Sequence, residues 1–179
     1  MITLESLLNA WDKFKIGKTT KNDVQKFEFH LEDNLFRLYE DLVNKSYAHA
    51  PYEKFYIRDP KVRPIHKSSV RDRVVHHAVF KVLNEIFEPS FIFDSYSCRI
   101  NKGTHRAVLR LKKFSDAIYA EYSKCFVLKC DIKKFFHSID HEILLKLVWQ
   151  KIKNDEIMRV VKILIDSFRG NLIGERERE

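Results

Sequence analysis

Residues 126–141 read FVLKCDIKKFFHSIDH. Phe126, Leu128, Cys130 and Ile132 alternate with Val127, Lys129 and Asp131, a period of two that predicts a half-buried strand. One face of that strand is expected to meet a core, and the other to carry Lys129 and Asp131 toward solvent or a ligand. An aromatic and basic turn, Lys133-Lys134-Phe135-Phe136, follows. Asp140 then stands where a helix starting near His141 needs its N-cap, with Glu142 in the first turn. Standing alone, Asp131 is an ordinary strand-end acid and the two phenylalanines are core aromatics. Together they are an unusual investment for a scaffold.

Working outward, residues 3–14 carry Leu4, Leu7, Leu8 and Trp11 on one stripe and predict a short amphipathic helix. A longer helix is expected over about 23–44, with Val24, Phe27, Leu31, Leu35, Leu38 and Leu42 as its core face. Residues 53–58 and 62–65 read as a hairpin around Asp59-Pro60-Lys61. Ser68 or Ser69 caps a helix of about 70–87, which Glu88-Pro89 ends. Thr104 caps another, with Ala107, Val108, Leu111, Phe114 and Ile118 expected inward. Helices of about 141–151 and 155–168 follow the strand. Helices, a hairpin, more helices and a strand suit an α+β arrangement. We divide it into a helical and hairpin region, 1–115, and a second region, 116–179.

The composition, 45% hydrophobic with 4 Gly and 4 Pro, suits a packed core rather than a linker-rich chain. No apolar run is long enough to span a membrane and no basic leader opens the chain, so a cytoplasmic protein without a membrane partner is expected. Cys98, Cys125 and Cys130 have no paired spacing and read as reduced thiols. His76 and His77 read as core-edge residues. The formal charge is +8, and it is concentrated. Residues 54–73 hold Lys54, Arg58, Lys61, Arg63, Lys67, Arg71 and Arg73 against Asp59 and Asp72. Residues 99–113 hold Arg99, Lys102, Arg106, Arg110, Lys112 and Lys113 with no acid. Localised charge of this kind suits a polyanion, with a solvated basic face as the plain alternative.

The run Asp131-Ile132-Lys133-Lys134-Phe135-Phe136, then Ile139-Asp140-His141, resembles motif A of reverse transcriptases of the bacterial group II intron, retron and diversity-generating retroelement type. Val62-Arg63-Pro64-Ile65 with Val70-Arg71-Asp72-Arg73-Val74-Val75 resembles the family's fingers motif. Residues 94–99 and 102–105 resemble its next block. The resemblance implies the fingers and first part of the palm of a right-hand polymerase. Asp131 would be catalytic and would bind Mg²⁺ or Mn²⁺, with the Ile132 carbonyl completing one shell. Two such ions about 4 Å apart are the usual device for nucleotidyl transfer. Lys61, Arg63 and Arg73 would meet the triphosphate of a deoxynucleotide, and Arg suits that role through its fork. Phe136 would pack under the sugar and exclude a 2′-hydroxyl. Arg99, Lys102, Arg106 and Arg110 would follow an RNA template or RNA–DNA duplex. For Asp72, and in the plain reading for Arg73, a structural ion pair at the helix start is the alternative.

The family's Tyr-x-Asp-Asp hairpin has no counterpart, since no Asp-Asp pair occurs in these 179 residues. The family's glycine-proline-glycine turn is absent, with Gly170-Asn171-Leu172 only faintly like it, and so is the thumb. Two functions therefore compete: a reverse transcriptase fragment, inactive alone and needing a separate palm and thumb segment or self-association, and a catalytically empty nucleic-acid-binding or assembly module. A metal-dependent nuclease using Asp131 and Asp140 is a weaker third, because Asp140 is better explained as a cap.

Overall fold

The computed structural model describes residues 2–133 and 135–176, with side chains described outside His137 and 169–176. Lys134 and residues 177–179, part of the motif and of the Glu/Arg-rich end, lie outside the described residues. Eight α-helices and one two-stranded antiparallel sheet are seen among the described residues, so helices and strands are mixed as α+β predicts. The chain forms two compact units, Met1–Ile86 with Ile139–Glu179, and Phe87–Ser138. The boundary expected near residue 115 falls inside a helix of the second unit.

In the first unit, α1 (Leu4–Lys15) begins at a reciprocal cap. The Thr3 hydroxyl accepts from the Ser6 amide at 3.1 Å and the Ser6 hydroxyl accepts from the Thr3 amide at 2.9 Å. Its buried stripe is Leu7, Ala10, Trp11 and Phe14; Leu7 and Trp11 are as expected, Leu4 is half-buried, and Leu8 faces outward. The single helix expected over 23–44 is two, α2 (Asn22–Phe29) and α3 (Leu31–Val43). His30 breaks them by leaving helical geometry, and the Asn34 side-chain Nδ2 donates to the Phe27 carbonyl, which the break would otherwise leave open. Leu35, Leu38 and Leu42 are buried, and Trp11 packs on Phe14 and Phe27.

β1 (Glu53–Arg58) and β2 (Val62–Lys67) form the predicted hairpin, with Phe55 opposite Ile65 and Ile57 opposite Arg63. α4 (Val70–Phe87) follows, and its first turns bury Val70, Val74, Val75, Ala78 and Val79. After the second unit, α7 (His141–Lys151) starts at Asp140, whose carboxylate accepts from the amides of Glu142 and Ile143 at 2.8 and 2.9 Å. That is the cap read from the sequence. α8 (Asp155–Arg176) buries Ile157, Val160 and Val161. It runs through residues 170–172, so the faint turn suggested there is helix.

One buried polar cluster ties the 47–52 loop to α4. Asp72 is fully buried and accepts from the Tyr47 hydroxyl at 2.8 Å, the Ser69 hydroxyl at 2.6 Å and the Ala50 amide at 3.2 Å. Burial and the neighbouring Asp72 charge push the Tyr47 hydroxyl far above its ordinary range, so it stays a donor. Asp72 is structural, as its helix-start position suggested.

Beside it, His49 Nε2 and His76 Nε2 are 3.2 Å apart, and the rings stack. His49 Nδ1 contacts the Ala50 carbonyl at 2.6 Å, so Nδ1 carries the proton and Nε2 accepts from His76. Burial, then the neighbouring His49, pushes His76 down to about 4, with His77 and Arg73 adding and Asp72 opposing. A histidine held below its unfolded value of about 6.5 favours the neutral native state. The unfolded chain then binds more protons between the two values. Stability is therefore expected to fall as pH drops from about 6.5 to 4, by about 2 kcal/mol after discounting for the partial exposure of His76. Urea midpoints followed by tryptophan emission at pH 7, 5.5 and 4.5 check this, and His76→Gln should flatten the slope.

In the second unit, a short 3-10 turn (Glu88–Ser90) leads into an irregular loop, then α5 (Thr104–Tyr122) and α6 (Phe135–Ser138). Gly103, at φ +93°, precedes α5 in a conformation that a side chain would strain. Val108, Leu111, Phe114 and Ile118, expected inward, are exposed, and Ala107 is half-buried. Residues 126–132 are not a strand. Phe126 is 91% and Leu128 89% exposed. The reason is that a strand is held by a ladder to a neighbour, and β1 and β2, the strands among the described residues, pair with each other. Alternation alone supplies a face to bury but nothing to bury it against.

Candidate nucleic-acid interface

The irregular loop of the second unit is built on Arg99. Its Nε and Nη2 donate to Glu88 Oε1 at 2.9 and 2.7 Å, and its Nη1 donates to the carbonyls of Ile92 and Ser95 at 2.9 and 3.0 Å. The guanidinium also lies over the Phe91 ring. Arg99 thus spends its donors on its own loop. Lys102 does the same in part. Its ammonium donates to the Phe93 carbonyl at 2.6 Å and lies 3.7 Å from the centre of the Phe93 ring, with Tyr96 on another side.

These contacts fold the loop against the start of α5 and leave an open groove of about 460 Å³. Phe93, Tyr96, Lys102, Arg106, Arg110 and Lys113 line it, with Leu109 and Ile100 beside them. Arg106, Leu109, Arg110 and Lys113 recur at helical spacing, so α5 presents them on one face. Arg106 hydrogen-bonds the Asn101 carbonyl. Arg110 pairs with Asp94 at 2.9 Å and lies over Phe93 and Phe114. The bond from Arg110 is the main cause that holds Asp94 below the usual carboxylate range, with Tyr96 and Lys102 adding to it. Arg106 and Lys113 have no carboxylate partner among the described residues. The groove therefore offers cations beside aromatic faces, a surface on which a phosphate chain and stacked bases both find partners. Three of the four cations expected on such a path, Lys102, Arg106 and Arg110, meet here, while Arg99 supports the loop. Lys113 was marked only as part of the basic segment 99–113 and Tyr96 only as part of the 94–99 block, neither as a site residue, and Phe93 was not singled out from the sequence. The helical spacing of residues 106, 109, 110 and 113 was the available signal.

Asp131, Ile132 and Phe136 belong to the same unit. Ile132 is exposed, Asp131 is exposed, and no group of three His, Cys, Asp or Glu that could hold a metal ion occurs among the described residues. One carboxylate and one carbonyl do not make up the donor set that a pair of Mg²⁺ ions requires. Phe136 is 75% exposed and meets Phe135 edge-on at 5.4 Å between ring centres. Both phenylalanines are exposed, against the plain reading of the pair as core aromatics.

The remaining candidates lie in the first unit. Lys61 sits at the hairpin turn and Arg63 on β2, both exposed, and neither has a carboxylate partner among the described residues. Arg73, on α4, pairs with Asp23 at 2.6 Å and lies over Phe14. Lys67 joins the same carboxylate at 2.9 Å. Burial raises Asp23, but the bonds from Lys67 and Arg73 outweigh it and leave its carboxyl below the ordinary value. Arg73 is thus engaged in the structural pair that its helix-start position allowed, and the two hairpin cations are the open ones. The three cysteines are free. No helix among the described residues is long and apolar enough to cross a membrane.

Comparison with known proteins places this geometry. A family model for reverse transcriptase (RNA-dependent DNA polymerase) matches residues 54–179, from β1 to the end of the chain. The Escherichia coli K12 protein YkfC is 27% identical over 127 residues, 69% of this chain and 33% of its own length. The group II intron-encoded protein LtrA of Lactococcus lactis is 28% identical over 134 residues, 73% of this chain and 21% of its own length. A putative COX1/OXI3 intron 2 protein of Saccharomyces cerevisiae is 25% identical over 173 residues, 92% of this chain and 19% of its own. The chain thus spans a third or less of these relatives. With the hairpin, the loop and groove before α5 and the Asp131 motif all inside the matched segment, the chain belongs to the reverse transcriptase (RNA-dependent DNA polymerase) family, of the group II intron type.

Proposed function

We propose that this chain provides the fingers and first palm elements of an RNA-directed DNA polymerase. The observation that carries the reading is the groove before α5, which gathers Lys102, Arg106, Arg110 and Lys113 beside Phe93 and Tyr96 inside the family-matched segment. In this reading an RNA template or RNA–DNA duplex follows the groove. Lys61 and Arg63 on the hairpin meet the triphosphate of the incoming deoxynucleotide, and Phe136 is the sugar gate. Asp131 contributes one carboxylate to a catalytic centre that other carboxylates, from outside these 179 residues, must complete.

Binding to RNA should be steeply salt-dependent, because each phosphate neutralised releases counterions. Arg106→Glu with Lys113→Glu is expected to weaken binding at least tenfold and to reduce the salt slope by roughly 2. Lys146→Glu with Lys153→Glu, on α7 and just beyond it, should change both much less. Fluorescence anisotropy with a labelled RNA–DNA duplex measures this. Equal losses from both double variants would leave no localised path.

A second reading, a nucleic-acid-binding or assembly module without catalysis, is favoured by one observation. The sequence holds no Asp-Asp pair, and Asp131 has no neighbouring acid in a metal-ligating group among the described residues.

A further inference from the structure

Phe93 is 66% exposed, yet it is held more firmly than a surface aromatic usually is. The Lys102 ammonium donates to its carbonyl at 2.6 Å and stands 3.7 Å from the centre of its ring, which puts the charge over one face. The Arg110 guanidinium lies 5.2 Å from the same ring centre, and Asp94 fixes that guanidinium at 2.9 Å. A ring covered on both faces would not keep so much of its surface. One face is therefore pinned, and open ring remains beside the cations.

The loop accepts backbone strain to hold this arrangement. Cys98 at φ 57° and Asn101 at φ 58° are left-handed without being glycine, and Gly103 follows at φ 93°. Such residues cost free energy and gather at ligand clamps. Asn101 and Gly103 flank Lys102 and turn the chain back. The Gly103 amide can then donate to the Tyr96 carbonyl at 3.0 Å, and Lys102 reaches Phe93.

An open aromatic face beside cations suits one state of a nucleic acid better than another. Cations meet the phosphates of a single strand and of a duplex alike. A ring stacks only on a base whose face is free, and inside a duplex the neighbouring bases cover both faces. The groove therefore offers a duplex its charge alone, and an unpaired strand its charge and its ring.

We infer that the groove before α5 binds an unpaired stretch of nucleic acid, with one base stacked on Phe93 and the flanking phosphates on Arg106 and Lys113. This rests on the reading of the groove as a nucleic-acid path and narrows it from strand or duplex to strand. Tyr96 is half-buried and its hydroxyl donates to Asp94 at 3.0 Å, so the stacking falls to Phe93. Because Lys102 holds the ring in place beforehand, less freedom is lost when a base settles on it.

The test is fluorescence anisotropy of the 179-residue chain over a range of salt concentrations. The labelled probes are an oligouridylate of about twelve residues and an RNA–DNA duplex of about thirty base pairs, long enough that its end bases count for little. Phe93→Leu keeps an apolar side chain and removes the flat face. It should weaken oligouridylate binding at least about fivefold at every salt concentration and leave the salt slope unchanged, since stacking releases no counterions. Duplex binding should change less than about twofold, because no stacked base is lost there. Phe93→Trp should bind the oligouridylate at least as tightly as the unaltered chain. The unaltered chain should also bind an abasic strand of equal length at least about fivefold more weakly than the oligouridylate, with the same slope. That comparison decides if Phe93→Leu does not fold. Equal losses on strand and duplex, no loss on the strand, or equal binding of abasic and uridylate strands would overturn the inference and leave the nucleic-acid reading standing. No salt-dependent binding of either probe would overturn both.

Discussion

Primer extension by these 179 residues alone, on an RNA template with deoxynucleotides and Mg²⁺, is expected to stay at background. Two metal ions at catalytic spacing need several shared carboxylates, and Asp131 is one. No Asp-Asp pair stands elsewhere in the sequence to supply the others. Residues 126–132 also lack a partner strand among the described residues, so the backbone that would aim Asp131 is not held in a ladder. Rigid support of that kind separates a ligand from an exposed acid. Adding a separate segment that carries a Tyr-x-Asp-Asp hairpin and a thumb is expected to restore extension. In that mixture Asp131→Asn should reduce it roughly 100-fold or more, since a catalytic metal ligand contributes several kcal/mol. Phe136→Ala should let ribonucleotides in and, at an exposed position, change stability by no more than about 0.5 kcal/mol. Extension by the chain alone, abolished by Asp131→Asn, would mean that a carboxylate within the chain replaces the missing pair. No extension in the mixture would favour the binding-module reading.

The largest expected effect on stability lies at Asp72. Asp72→Ala removes the acceptor for the Tyr47 and Ser69 hydroxyls and the Ala50 amide in one step. Asp72 and Tyr47 are buried and the Ser69 and Ala50 donors partly so, and Arg71, 3.6 Å away, loses a counter-charge. Removing one partner from a buried charged network costs roughly 3–5 kcal/mol, because the other groups stay buried and unpaired. Asp72→Asn keeps the shape and one acceptor, and should cost about 1–3 kcal/mol. Both tryptophans, Trp11 and Trp149, belong to the first unit, so urea unfolding followed by tryptophan emission reads its stability. A change in Asp72→Ala of less than about 0.5 kcal/mol would show that the cluster does not hold the 47–52 loop to α4.

The outcome at each element depended on how local its signal was. The hairpin, α4, α7 and the Asp140 cap were legible because each rests on neighbours in sequence: a Pro-containing turn, an apolar stripe, a carboxylate reaching amides two and three residues on. Asp72 was legible as structural from its place at a helix start. The break at His30 was not, because the apolar stripe continues across it and a bond from Asn34 to Phe27 closes the gap. The groove was half legible. Charge without acid over 99–113 marked it, but only the folded loop showed that Arg99 turns inward to Glu88 while Arg106 and Lys113 keep no carboxylate partner among the described residues. Fold class and family were in the sequence itself, since residue types at fixed spacing carry them. Whether an alternating stretch becomes a strand was decided only in three dimensions. Residues 126–132 have the pattern of one, but a β-strand is a property of two chains in register, and periodicity describes one.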